Sequence, residues 1–500
     1  MNRKKKFLLN SFSGLFKQLV TLICGFVMTK AILMFYGSSI NGLVASITQF
    51  LGFISFLEMG IGPVIQSNLY KPLAQNDTIQ ISKIVKSSEK FFRRIAYIFV
   101  VYIIILCFVF PRVINSDYTF LFTASLVLII SISSLAQYYF GMTYQLLLNA
   151  DQKGYVQITL QWITLLVNTG LCILLMNFGV SIHVVRLVTA AIYVFRPLFL
   201  CLYVRKHYSI DKQITYDVDP IKQKWNGFAQ HLSAVVVDNT DVAVLTVMSS
   251  LKNVSVYTVY YSVVYGITQV IMTTVNGLEA MWGNMLANEE WDTLRESFSF
   301  TEWLVHTMVT VIFVAAGLLI TPFVLVYTSG VTDANYNQPL FGALLIAAFA
   351  MQCYRVPYFR IIKAAGHYKE TQNGAFITMG LNIIISILFV KKFGLIGVAI
   401  GTLVALIFHT CYFAVYLTKQ ILQRKITYFL KHLFVDAVIA IISVLLVELY
   451  IGTADGYLTW IIMAIKVTAS VAGVSLIGNL IFYNKQLRKL SGMLIKRLKH

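Results

Sequence analysis

Of the 500 residues, 58% are hydrophobic and only 12% charged, against about 25% charged in soluble domains, so a soluble globular fold is excluded. A crossing needs about 20 apolar residues, and the apolar content suffices for up to about fourteen. The net charge of +19 would suggest nucleic acid in a soluble chain. Here the charges sit in short loops between apolar runs, where the positive-inside rule accounts for them and a nucleic-acid partner is not expected.

Taken in order, the chain opens with a basic N-terminus, MNRKKK, and an apolar stretch read as an uncleaved first span, about 11–36, with Lys17 near its inner end and Lys30 nearer its outer end. Span 2, about 42–67, contains LEMGIGP; Glu58 precedes Gly60, Gly62 and Pro63, a cluster that predicts a broken helix at membrane depth. A basic amphipathic stretch, 71–94, is expected to lie along the cytoplasmic surface. Spans 3 to 6 follow at about 95–112, 120–148, 155–177 and 181–204, and a polar segment, 205–228, holds Pro220 and reads as a linker.

Span 7, 229–250, carries Asp238 and Asp241. One acid at the centre of a spanning helix costs about 2.5–3.5 kcal/mol on insertion scales, so two on one face require a partner or a wet cavity. Span 8 (254–286), an amphipathic stretch (287–302) and spans 9 to 12 (about 304–328, 339–362, 371–391, 394–418) repeat the order of the first half, down to a turn at Phe-Gly in each. Spans 13 (432–451) and 14 (457–482) stand outside the repeat, and a basic tail closes the chain.

The reading is therefore an all-α polytopic membrane protein of about 14 transmembrane helices. It consists of an N-lobe (1–204), a cytoplasmic linker (205–228), a C-lobe (229–418), and residues 419–500 with spans 13–14 and the tail. Six spans per lobe is an even number, so the two lobes are expected to be a parallel pseudo-repeat with the transport pathway in the cleft between them. Alternating the spans from a cytoplasmic N-terminus puts nearly all the Lys and Arg of the loops inside and leaves Arg112, Lys252, Lys391 and Lys392 outside. Both termini are then cytoplasmic. The six cysteines are scattered singly in apolar runs without metal-ligand spacing and read as packing residues.

Four stretches carry a family resemblance: FLEMGIGPVI; NTDVAVLTVMSSLKNVSVYTVYYSVV; GNMLANEEWDTLRESF; and AAGHYKETQNGAFITMGLNIIISILFVKKFGLIGVAIGT. Together with the order of elements, they resemble bacterial polysaccharide-unit flippases of the O-antigen or capsule type, within the multidrug/oligosaccharidyl-lipid/polysaccharide exporter superfamily. The resemblance implies alternating access in the cytoplasmic (inner) membrane. It also implies an oligosaccharide on an undecaprenyl pyrophosphate carrier as substrate, membrane lipids as surroundings, and other polysaccharide-assembly proteins as partners.

A pyrophosphate crossing the bilayer needs cations along its route. Lys17, Lys30 and Arg355 are the substrate-binding candidates, with Arg360, Arg186 and Arg196 weighed against simple snorkelling to the interface. Asp238, Asp241, Glu58 and Glu279 are the ion-coupling candidates, able to carry a proton or sodium ion, with structural ion pairing as the alternative. His231, His306 and His409 read as packing residues, as do Gly394, Gly397 and Gly401 at small-residue spacing. Tyr257, Tyr260, Tyr261 and Trp282 could stack on sugar rings. No cofactor is expected beyond a coupling ion. A cation-coupled drug or metabolite antiporter of the same superfamily is the second reading. A glycan polymerase or ligase is rejected, because the longest outer loop is about ten residues and no nucleophile triad or nucleotide loop is visible.

Overall fold

The computed structural model describes residues 3–58, 60–114, 118–211, 213–216, 221, 228–275 and 278–498. Within the expected linker, residues 212, 217–220 and 222–227, Pro220 among them, lie outside the described residues. Every regular element among them is a helix. Twelve helical stretches are long and apolar enough to cross a membrane. The first of these is two crossings: α1 (Arg3–Gly52) is broken at Gly37, whose φ of 81° and ψ of 175° are not helical. Only a glycine adopts that conformation without strain. Helix α8 (Phe228–Met248), 21 residues long, makes a fourteenth crossing by length.

Alternating contacts explain why the helices settle in a membrane. On α3 (Thr78–Val113) Ile98, Val101, Ile104 and Phe108 are exposed while Phe99, Ile103 and Phe110 are buried. Each lipid-facing stripe is as apolar as the core it backs, which only a bilayer tolerates at this extent.

The chain divides into two compact units, residues 1–235 with 249–255, and residues 236–248 with 256–500. In the first unit α1 continues into a 3-10 turn, Phe53–Glu58, and the chain restarts at Gly60 (φ 80°) as α2 (Ile61–Gln75). The expected break at LEMGIGP is therefore present. Pro63 falls in the first turn of α2, where its missing N–H costs nothing. Helices α4 (Phe120–Ala136) and α5 (Met142–Ala150) join through a π turn at 137–141. Helices α6 (Gly154–Asn177) and α7 (Ile182–His207) turn back at Phe178–Gly179, with Gly179 left-handed at φ 70°.

The amphipathic stretches differ from expectation. Residues 71–94 do not form a separate surface element: 71–75 end α2, and 78–94 are the first half of α3, a single 36-residue helix. Asp77 caps it by accepting from the Gln80 amide at 2.9 Å, and no helix breaker separates Arg94 from Ile95. At about 1.5 Å per residue this helix spans some 54 Å, well beyond the ~30 Å hydrocarbon core, so its basic half projects from the membrane. The apolar face of that half, Ile81, Ile84, Val85 and Phe92, is buried in the protein core rather than offered to lipid. Residues 291–302 are likewise the first turns of α11 (Trp291–Tyr327).

The second unit holds α9 (Leu251–Val275, from Val256), α10 (Leu278–Ala287), α11, α12 (Pro339–Ala364), α13 (Tyr368–Phe393) and α14 (Leu395–Tyr416). Helices α13 and α14 form a tight hairpin about Gly394. A Cβ on Gly397 would stand 2.5 Å from the Phe389 carbonyl, and one on Gly401 2.2 Å from Ser386 Oγ, so both glycines serve close helix approach. Helices α15 (Thr427–Glu448) and α16 (Tyr457–Phe482) pack on α11 through Val447, Val467 and Val471 against Ala315 and Leu319. A basic amphipathic helix, α17 (Asn484–Leu498), closes the chain.

Candidate functional site

Asp241 lies in the second unit at the middle of α8 and is 2% exposed. Its carboxylate accepts hydrogen bonds from Tyr257 Oη of α9 at 2.8 Å, Thr402 Oγ1 of α14 at 2.7 and 2.9 Å, and Asn382 Nδ2 of α13 at 3.4 Å. Asn382 also donates to Thr402 at 3.1 Å. Four helices thus meet on one acid, because a carboxylate at membrane depth is tolerated only when its lone pairs are filled. Two oxygen atoms in this neighbourhood, Asn382 Oδ1 and Ser386 Oγ, are buried without a hydrogen-bond partner. A carboxylate ringed by amide and hydroxyl oxygens suits a proton or a hard cation such as sodium; it does not suit a soft metal, which prefers thiolate or imidazole. Asp238 occupies the preceding turn of α8, and its side chain lies outside the described residues, as does that of His231.

The first unit has its own polar recess. Glu58, at the end of the 3-10 turn, lines a cavity of about 420 Å³ together with Gln137, Gln157, Gln161, Tyr193 and Arg196. Tyr138 donates to the Glu58 carboxyl, while Glu58 Oε2, Gln157 Oε1 and Gln161 Oε1 are buried with no partner. Arg196 donates to Thr164 Oγ1 at 2.6 Å and to the Gln161 carbonyl at 3.2 Å, and lies 3.7 Å over the Tyr193 ring. Lys17 is near enough for its charge and that of Arg196 to repel. The structure therefore brings Glu58 and Arg196 into one recess, whose lining does not include Lys17. Lys30 sits separately, half-buried on α1. Arg186 is on α7 with its Nε buried and unpartnered.

The remaining candidates are engaged elsewhere in the second unit. Arg355 hydrogen-bonds to His409 Nδ1 and lies 5.9 Å over the Phe413 ring. Glu279 receives Arg360 at 2.7 Å and Lys363 at 3.0 Å, an arrangement that ties α10 to α12. Tyr257, Tyr260 and Trp282 are buried core residues: Tyr260 donates to the Tyr336 carbonyl at 2.8 Å and Trp282 to Ser297 at 3.1 Å. Their rings are covered on both faces by protein, so they are not platforms for sugars; Tyr261 is half-buried against Phe349.

Asn382 and Thr402 were not among the sequence-derived site residues. Each is a lone polar side chain in an apolar run, GLNIII and IGTLV, a signal that becomes informative only once the chain brings both to the same acid.

A polar cluster in the first unit, between α5 and α6 and just outside the spans, holds Asp151. Lys6 and Lys153 pair with it at 2.9 and 2.7 Å, and Tyr208 donates at 2.5 Å. Burial alone would push the Asp151 carboxyl up, but the bonds from Lys153, Tyr208 and Lys6 outweigh it and hold the group below its ordinary range. Burial pushes the Tyr208 hydroxyl up, and its bond to the Asp151 carboxylate acts the same way.

No family model matches the chain, and no curated protein matches it in sequence. Solved structures do match. The lipid II flippase MurJ, in an inward closed conformation, aligns with a TM-score of 0.71 and 15% identity over 96% of this chain and 100% of that one. An inward-facing multidrug resistance MATE family transporter of the MOP superfamily aligns with a TM-score of 0.58 and 13% identity over 80% of this chain and 95% of that one. A mutant of the Vibrio cholerae MATE transporter VcmN gives 0.58 and 14% over 85% and 98%. These neighbours are flippases and transporters, not enzymes. The chain is a multi-pass membrane protein with the fold that the lipid II flippase MurJ shares with MATE transporters of the MOP superfamily.

Proposed function

We propose that the chain is a flippase that moves undecaprenyl-pyrophosphate-linked oligosaccharide repeat units across the bacterial cytoplasmic membrane by alternating access, for surface polysaccharide synthesis. The observation that carries this reading is the extent of the likeness to a lipid-linked-substrate flippase, 96% of this chain and all of MurJ, where the two MATE transporters cover 80% and 85%. The four family-like stretches in the sequence narrow the glycan to an O-antigen or capsule type of unit.

In this reading the two lobes are the N-lobe, 1–204, and the C-lobe, 229–418, with both termini cytoplasmic. Asp241, with Asn382, Thr402 and Tyr257, binds the coupling proton or sodium ion, and Glu58 is a second candidate in the first unit. Asp238 and Glu279 keep their place as ion-coupling candidates, although Glu279 is already neutralised by two cations. Lys17, Lys30 and Arg355 supply positive charge for the pyrophosphate. The alternative, a cation-coupled drug or metabolite antiporter, draws support from the oxygen-lined Asp241 site, which such a transporter would also need.

Deleting the protein and assaying lipid-linked sugars on each leaflet decides between the two. Undecaprenyl-linked repeat units accumulating on the cytoplasmic leaflet support the flippase. Unchanged lipid carriers with altered drug tolerance would replace it with the antiporter.

A further inference from the structure

A second set of buried ionisable groups lies in the second unit, away from Asp241. Helix α11 presents Glu302, His306 and Thr310 at four-residue spacing on one face. Against them stand Tyr354 and Tyr358 of α12, Arg424 from the segment after α14, His432 and Asp436 of α15, and Tyr483 just past α16. Arg424 makes two bonds to Glu302, one of 2.7 Å, and Tyr358 donates to the same carboxylate. Asp436 accepts from His306 Nδ1 at 2.6 Å and from Thr310 Oγ1 at 2.7 Å. Tyr483 Oη meets His432 Nδ1 at 2.8 Å, and His432 Nε2 stands 3.7 Å from Glu302. The rings of Tyr354, His306, His432 and Tyr483 stack in one column at 4.5, 4.8 and 5.0 Å.

Charge bookkeeping makes this cluster unusual. With both imidazoles neutral and both acids ionised, two carboxylates face one guanidinium among the described residues, leaving one negative charge uncompensated in the interior, where burial penalises it. Lys431 is exposed, donates to the Phe482 carbonyl at 3.1 Å and lies 4.7 Å over the Tyr483 ring, rather than bonding to either carboxylate of the cluster. The network also assigns the tautomer of His306. With Asp436 ionised its carboxylate only accepts, so the proton of neutral His306 is on Nδ1 and Nε2 carries a lone pair. That Nε2 is buried on a residue 1% exposed, with no hydrogen-bond partner.

We propose that this cluster is a proton-binding site, separate from Asp241, which takes up one proton on the His306 imidazole. The imidazolium so formed is paired with Asp436, and the net charge of the cluster falls to zero. Because Asp436 and His432 are on α15, while Asn479 of α16 accepts from Trp303 and Thr307 of α11 at 2.6 and 3.2 Å, proton uptake acts on the seam that fastens the last two spans to α11. The proposal does not depend on the identity of the transported substrate.

His306 is the only histidine between Arg295 and Arg355, so one tryptic fragment reports it in the unaltered full-length protein. Hydrogen–deuterium exchange at the imidazole C2 carbon, read by mass spectrometry on that fragment in nanodiscs from pH 5 to 9, is expected to follow a one-proton curve. Asp436→Asn, which removes the excess negative charge and keeps the side chain's size, is expected to weaken proton affinity at least about tenfold, displacing the curve by about one pH unit. A flat profile in the unaltered protein, or an Asp436→Asn curve that coincides with it, would overturn the proposal. Should Asp436→Asn fail to accumulate, the unaltered protein's profile alone decides.

Discussion

Asp241→Asn keeps the side chain's shape, removes its charge and leaves one of its two accepting oxygens. The carboxylate accepts from Tyr257, Thr402 and Asn382 in a site 2% exposed. Hydrogen bonds to a charged group contribute about 1.5–3 kcal/mol and neutral ones about 0.5–1.5, so Asp241→Asn costs roughly 1 kcal/mol per bond and about 3 in all. Asp241→Ala is harsher: three buried donors lose their acceptor at about 1–3 kcal/mol each, which approaches the whole stability of about 5–15 kcal/mol. The Ala variant is expected to be lost from the membrane and the Asn variant to remain. An ion that binds the folded state at a concentration 100 times its Kd stabilises it by about 2.7 kcal/mol. The assay is thermal unfolding of purified protein, with sodium chloride replacing choline chloride at fixed ionic strength and, separately, with pH lowered from 8 to 6. The unaltered protein should melt higher with the coupling ion, and Asp241→Asn should show no such rise. An undiminished rise in Asp241→Asn would refute the ion site.

Asp151→Asn removes the acceptor for Lys6, Lys153 and Tyr208 and is expected to lower stability at pH 7 by about 1–3 kcal/mol. Because the folded carboxyl lies below its ordinary range, its contribution is fully present above that range and is lost as pH falls through the folded value. The melting difference between the two proteins should therefore persist at pH 5 and shrink as acid protonates the folded carboxyl; a difference that does not shrink on acidification would show that the bonds, not the charge, matter. Gly397→Ala places a Cβ 2.5 Å from the Phe389 carbonyl and should cost about 1–3 kcal/mol through overpacking. Gly380→Ala on the same hairpin, with nothing within 4 Å, should be neutral or stabilising by up to about 1 kcal/mol; equal melting temperatures for the two would contradict the close-approach account. Glu58→Gln keeps the bond from Tyr138 and removes the ionisable group, so surface polysaccharide should fall while the protein stays in the membrane. Full export by this variant would remove Glu58 from the coupling candidates.

Apolar runs of twenty residues, with most Lys and Arg in the segments between them, have few physical solutions, because backbone polar groups in hydrocarbon must be satisfied within each segment. For that reason the all-helical multi-pass class, the break at LEMGIGP and the turns at Phe178–Gly179 and Phe393–Gly394 were legible in the linear chain. The amphipathic stretches were harder to place. The periodicity of 78–94 is the same whether Ile84 and Phe92 face lipid or a neighbouring helix, and only the fold showed them in the protein core.

Site chemistry divides the same way. That Asp241 sits in an apolar helix, and is therefore expensive, follows from composition alone. That Asn382 and Thr402, 141 and 161 residues away, fill its lone pairs depends on how α13 and α14 fold against α8, and no local pattern encodes that. Glu279 and Arg355, equally conspicuous as intramembrane charges, turn out to be bound to Arg360 and Lys363 and to His409. The sequence by itself determined which groups are costly to bury, since that is a property of each residue and its apolar surroundings. The tertiary structure alone decided which of those groups compensate one another, because charge and hydrogen-bond pairing are set by distances of about 3 Å between residues far apart in the chain.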